Sequence, residues 1–150
     1  CDCGVKHTKD DYRDILEQTL LDRLAEATAE YVHARVRREF WAYAKDENLT
    51  PQEVLKESYR GIRPASGYPS YPDLSLNFVI DKMLKPERIS VNFTLNGAIV
   101  PLASTAGFYF AHPDSNYFYI GKIDDEQLAD YAERRKISVD EAKKWLGGNI

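Results

Sequence analysis

No glycine or proline interrupts residues 10–45, and this run constrains the chain more than any other stretch. Those two residues are the strongest helix breakers, so a 36-residue interval without them can stay helical throughout. Within it Tyr12, Leu16, Leu20, Leu24, Ala27, Tyr31 and Ala34 recur at three- and four-residue steps, with Asp14, Glu17, Asp22, Arg23 and Glu30 mostly off that stripe. The pattern predicts one amphipathic helix about 50 Å long, opened by Thr8 with Asp11 in capping positions. So long a helix in a 150-residue chain packs either along the whole domain or against something outside it. On the polar faces, Arg35, Arg37 and Arg38 read as solvated, whereas Trp41 and, far downstream, Trp145 read as core.

After residue 48 the punctuation becomes dense. Leu49-Thr50-Pro51-Gln52-Glu53-Val54 combines an N-cap threonine, proline at the first helical position, a capping-box glutamate and a hydrophobic staple, so a second helix is predicted from Pro51 to Gly61. Residues 61–73, Gly-Ile-Arg-Pro-Ala-Ser-Gly-Tyr-Pro-Ser-Tyr-Pro-Asp, hold three prolines that forbid a regular helix and restrict each preceding residue to extended geometry. A stiff, extended loop follows from that. Asp73 can cap a short helix that reaches Met83 or Leu84 and stops before Pro86. Strict alternation over residues 89–95 ahead of Asn96-Gly97 predicts a strand and a tight turn. Residues 107–111 and 117–123 read as two more strands, joined by the turn residues between them into an antiparallel hairpin. Two last helices are opened by Asp124 with Gln127 and by Ser138 with Glu141, the second ended by Gly147-Gly148. The expected fold class is α+β, a small antiparallel β-sheet with a long N-terminal helix and C-terminal helices; residues 1–9 are expected to be a frayed or disordered segment and 10–150 the folded part.

Composition narrows the function classes. Twenty Lys and Arg against 24 Asp and Glu leave a net charge of −4, without the basic excess of a nucleic-acid binder. No apolar run approaches the ~20 residues that cross a bilayer, and no signal-peptide pattern opens the chain, so neither nucleic acid nor membrane is expected as a partner and the cytoplasm is the expected location. Cys1 and Cys3 are too close to close a useful loop. With His7 they offer three ligands where a structural zinc site wants four, so no metal is expected on this chain. Neither a GxSxG elbow nor a Cys-His context surrounds His7, His33 or His112, and the phosphate-binding GxGxxG and P-loop turns are absent. No catalytic residue is expected.

What stands out instead is ten tyrosines, six of them between residues 59 and 119, around two segments. In Arg63-Pro64-Ala65-Ser66-Gly67-Tyr68-Pro69 a proline-stiffened backbone presents its polar groups with little entropy left to lose, Gly67 permits close approach, and Arg63 offers a forked donor for a carboxylate. The same stretch also reads as a plain connection, and the residues from Gly107 to Tyr117 as ordinary strand and turn chemistry.

Taken together, these segments resemble the C-terminal activation domain of cobalamin-dependent methionine synthase. The likeness runs in order through Asp22-Arg23-Leu24-Ala25-Glu26-Ala27, Glu30-Tyr31, Arg35-Val36-Arg37, Glu47-Asn48-Leu49, Gly61-Ile62-Arg63-Pro64-Ala65, Gly67-Tyr68-Pro69, Gly107-Phe108-Tyr109-Phe110, His112-Pro113-Asp114-Ser115, Asp130-Tyr131-Ala132 and Trp145-Leu146. It implies an S-adenosylmethionine (AdoMet) site lined by Glu26, Arg63, Ala65, Tyr68 and Tyr117, with Pro64, Gly67, His112 and Ser115 behind them. In that family cob(II)alamin takes an electron from a flavodoxin-like donor, and the methyl group of S-adenosylmethionine traps the resulting cob(I)alamin. The cobalamin sits on a separate domain of the same enzyme, which is the implied partner, and zinc belongs to the parent enzyme only. The expected roles are Arg63 on the ligand carboxylate, Glu26 on its ammonium or sulfonium region, the Ala65 backbone on adenine, and Tyr68 and Tyr117 as aromatic walls that favour a cation. Leu74 stands where related sequences often carry a histidine facing the corrin. An upstream acidic contact of the family has no counterpart, so the chain is expected to be the C-terminal part of the domain. Two rival readings are a free-standing module that senses S-adenosylmethionine or docks on a corrinoid protein, and a helix-rich interaction domain with a degenerate site.

Overall fold

The computed structural model describes residues 11–150; the expected fraying of residues 1–9, the Thr8 cap and the Cys1, Cys3 and His7 group lie outside the described residues. Helix α1 spans Asp11–Arg35 and continues as a π-helical turn, Val36–Phe40. It therefore stops short of the expected residue 45. The amides of Trp41 and Ala42 both donate to the Val36 carbonyl, and Ala42 turns left-handed at φ 59°, which redirects the chain.

Of the two packings the pattern leaves open for this helix, along the domain or against something outside the chain, its apolar stripe does not take the first. Tyr12, Leu16, Leu20, Leu24 and Tyr31 on the apolar stripe are exposed, while the face carrying Ala29, Glu30, His33 and Arg37 is turned inward. At 100° per residue the two faces are roughly 110° apart. Arg37 is wholly buried, not solvated, because it meets Glu47, Glu30 and the Tyr59 ring; Trp41, expected in the core, is 57% exposed and packs edge-on against Tyr43. Trp145 is half-buried against Phe78.

Helix α2, Pro51–Leu55, begins as its capping box requires: Thr50 accepts from the Glu53 amide and the Glu53 carboxylate accepts from the Thr50 amide. It is shorter than expected. Glu57 adopts φ 53°, and its amide and that of Ser58 close back onto Val54 and Glu53, which ends the helix well before Gly61. Asp73 caps a short 3-10 turn at Leu74–Leu76 through the Ser75 amide, and α3 follows at Asn77–Leu84. The sheet is a two-stranded antiparallel ribbon, β1 Asn92–Phe93 with β2 Ile99–Val100, turning through Asn96 and Gly97. The alternation over 89–95 exceeds the strand because a 3-10 turn, Pro86–Ile89, occupies its start. Gly97 has φ 77°, and a Cβ there would sit 2.7 Å from the Leu74 carbonyl oxygen, so the turn lies flat on the 3-10 segment.

The expected hairpin of 107–111 with 117–123 does not form. Each arm pairs with the proline-rich loop instead: Ile62 and Phe110 exchange two 2.9 Å hydrogen bonds, the Phe108 amide donates to the Pro64 carbonyl, and the Ile120 amide donates to the Pro69 carbonyl. Proline 64 has no amide to give but keeps a full acceptor, so the loop can still be an edge.

Helices α4, Asp125–Arg135, and α5, Val139–Leu146, start at Asp124 and Ser138 as expected. Leu128, Ala132, Ala142 and Leu146 form the hydrophobic core between them, with Ile123, Tyr131 and Ile137 around it. This pair is fastened to the loop by Asp73, whose carboxylate accepts from the Tyr131 hydroxyl at 2.5 Å and lies 3.4 Å from Arg135. Among the described residues no helix is long and apolar enough to cross a membrane, and no group of three or more acidic, histidine or cysteine side chains is placed to hold a metal.

Candidate functional site

The proline-rich loop is fixed from three sides. Residues 108–110 hold one edge and Ile120 the other, and the Tyr117 hydroxyl accepts from the Arg63 amide at 2.9 Å. Inside the loop the Gly67 amide donates to the Tyr71 carbonyl and the Tyr71 amide to the Tyr68 carbonyl. Gly67 needs its φ of 93°, and a Cβ would lie 3.0 Å from the Leu74 side chain.

Between this loop and α1 opens a cleft of about 1080 Å³. Its walls bring together Glu26, Arg63, Ala65, Tyr68 and Tyr117, the five residues expected to line a ligand, and Pro64 with them. Gly67 is absent from the lining and serves the loop. His112 and Ser115 also stand apart from the cleft: they build an exposed turn in which the Asp114 amide donates to His112 Nδ1 and the Ser115 amide to the His112 carbonyl.

Arg63 is the electrostatic centre. Its Nη2 lies 3.5 Å from Glu26 and 3.4 Å from Glu30. Burial works against the guanidinium charge, but Glu30 and Glu26 outweigh it and hold the pKa above its ordinary value. Besides Arg63, the charged side chains on the cleft wall are Asp22, Glu26 and Glu57, an acidic balance that favours a cationic ligand still able to offer Arg63 a carboxylate. Burial raises the pKa of the Tyr117 phenol, which therefore stays protonated. Both Tyr68 and Tyr117 rings are accessible from solvent, at 59% and 41% exposure.

Behind Arg63 lies a polar cluster that sequence reasoning missed. Arg37 places Nε 2.9 Å from both Glu47 oxygens and stacks its guanidinium 3.9 Å over the Tyr59 ring. The Tyr59 hydroxyl donates to Glu30, and the His33 ring is held between Tyr59 and Tyr109 with centroids 5.1 Å away on each side. Burial, with Arg37 and Arg63 nearby, lowers the His33 pKa to about 4 and leaves the imidazole neutral at pH 7. One signal was present: Glu26, Glu30, His33 and Arg37 repeat at helical spacing, an inward polar stripe beside the apolar one.

The family described as Vitamin B12 dependent methionine synthase, activation domain, matches residues 4–136. The chain belongs to this family. A crystal structure of the MetH reactivation domain bound to AdoHcy matches the fold with a TM-score of 0.90 at 44% identity, over 94% of this chain. The present chain spans 44% of that one. In this activation-domain sequence Leu74 is half-buried, packed beneath Gly67 and the turn at Gly97, so at this position the side chain supports the loop.

Proposed function

We propose that the cleft binds S-adenosylmethionine and that the chain serves as the ligand-holding part of a cytoplasmic cobalamin-dependent methionine synthase. The observation that carries this reading is the convergence of Glu26, Arg63, Ala65, Tyr68 and Tyr117 on one cleft. It is supported by the 44% identity to a domain crystallised with AdoHcy. Arg63 takes the ligand carboxylate, Glu26 the ammonium, and the Ala65 backbone meets adenine. The Tyr68 and Tyr117 rings flank the sulfonium, a contact worth roughly 0.5–2 kcal/mol when desolvated. Pro64 and the bonds from 108–110 keep that backbone from having to reorganise on binding, which removes an entropic cost.

The bound ligand supplies a methyl group activated by its sulfonium, for a cobalamin held on another domain of the same enzyme after reduction by a flavodoxin-like donor. This chain contributes binding, orientation and a docking face, and no catalytic side chain; zinc is assigned to other parts of the enzyme. Calorimetry tests the reading: the wild-type chain takes up S-adenosylmethionine, and Arg63→Ala lowers affinity about 30-fold or more, a loss of about 2 kcal/mol or more. A folded wild-type chain giving no heat refutes it.

A further inference from the structure

Glu26 and Glu30 stand one helical turn apart on α1 and both touch Arg63 Nη2, yet their surroundings differ. Glu26 has a 52% exposed side chain and lies on the cleft wall. Glu30 is 24% exposed, does not line the cleft, and is gripped from behind: Oε2 accepts from the Tyr59 hydroxyl at 3.2 Å, and Oε1 lies buried 3.7 Å from Arg37 Nη1. Arg37 is in turn locked onto Glu47 and cannot follow Glu30 if it moves.

We infer that Glu30 is a positioning residue, a fixed counter-ion that orients the Arg63 fork toward the ligand carboxylate and leaves Glu26 as the exchangeable partner that turns to the ligand ammonium. The inference rests on the functional reading above and adds a division of labour between two carboxylates of equal charge. An arginine fork discriminates by geometry, because its donors lie in one plane and a carboxylate must meet them in that plane. A lone exposed carboxylate at 3.5 Å does not fix that plane. A carboxylate itself tied to Tyr59 and facing a buried arginine does. The protein's acidic hold on the Arg63 fork runs through Nη2, while the buried Nε makes no hydrogen bond to the protein.

The test pairs calorimetry with NMR of arginine Nε–H groups in the wild-type chain, Glu30→Gln and Glu26→Gln. In Glu30→Gln the Arg63 Nε–H becomes mobile, the Arg37 Nε–H stays ordered through Glu47, and S-adenosylmethionine affinity falls about tenfold, which corresponds to about 1.4 kcal/mol. In Glu26→Gln affinity falls while the free protein's Arg63 signal keeps its order. Tyr59→Phe, which removes one tether of Glu30, shifts both readouts in the Glu30→Gln direction by a smaller factor and carries the test if Glu30→Gln fails to fold. Unchanged Arg63 order and affinity in Glu30→Gln overturn the inference, as does loss of the Arg37 signal together with that of Arg63, which marks general loosening. A folded wild-type chain that takes up no S-adenosylmethionine overturns the functional reading, and the ligand role of Glu30 with it. Wild-type binding with insensitive Glu30 variants overturns this inference alone.

Discussion

Replacing Arg37 by methionine keeps an unbranched apolar stem and removes the charged guanidinium. In the folded chain Arg37 is inaccessible to solvent, hydrogen-bonded to Glu47 at 2.9 Å through Nε, ion-paired with it through Nη2, and stacked on Tyr59. The substitution strands the Glu47 carboxylate, whose side chain is 11% exposed, and takes the facing cation from Glu30. Breaking one side of a buried pair costs about 3–5 kcal/mol, mostly the desolvation of the abandoned charge. With a urea slope of about 2 kcal/mol/M, the unfolding midpoint should fall by about 1.5–2.5 M with the slope unchanged. Arg35→Met is the internal control. Its pair with Glu39 is shorter, at 2.6 Å, yet both partners are open to water, so the midpoint should hardly move. The double variant Arg37→Met with Glu47→Met removes both charges and should recover much of the loss, a coupling that additive costs do not produce. Equal midpoints for Arg37→Met and Arg35→Met, or strict additivity in the double variant, would refute the reasoning that burial, not distance, sets the strength of these pairs.

Two further outcomes are expected. His33 titrates near 4 in the folded chain and near 6.5 when unfolded, so the unfolded state binds the extra proton across that interval; stability is full above pH 6.5 and is lost as pH falls toward 4. Urea midpoints of the wild type should therefore decline over that window relative to those of His33→Phe, and parallel pH profiles would contradict the burial argument. Gly107→Ala places a Cβ 2.5 Å from the Pro64 carbonyl oxygen and should part residues 108–110 from the loop, breaking three backbone bonds at a net cost of about 2–4 kcal/mol. A Cβ on Gly148 meets nothing within 4 Å, so Gly148→Ala should leave the thermal midpoint almost unchanged, and equal shifts for the two would show that the loop does not depend on this pairing.

What was legible in the sequence was local. Thr50, Asp124 and Ser138 start their helices because a cap is decided within four residues, and the Asn96-Gly97 turn needs only its own backbone. Alternation in 107–111 and 117–123 correctly marked extended chain, but a strand pattern does not name its partner. The proline-rich loop between them and α1 offered the carbonyls of Ile62, Pro64 and Pro69, and both arms took those. The cleft residues were legible through the motif that contains them; Glu30 and Arg37 were not, because a charge is recognised as buried only once its partners are known, and Tyr59 and Glu47 come from other segments.

Periodicity marked the apolar face of α1 without naming what covers it. An apolar stripe predicts a face that avoids water, and it leaves open whether the cover comes from the rest of the chain or from outside it. Within this chain the cover α1 meets is the proline-rich loop and its aromatic supports, which are polar, so the face that meets them carries Glu26, Glu30, His33 and Arg37. Each of those groups is tolerated only because another segment answers it: Glu47 and Tyr59 for Arg37, Arg63 for the two glutamates, and two tyrosine rings for a histidine kept neutral. Within this chain the orientation of α1 follows these polar contacts, and Tyr12, Leu16, Leu20 and Leu24 face away from the described residues.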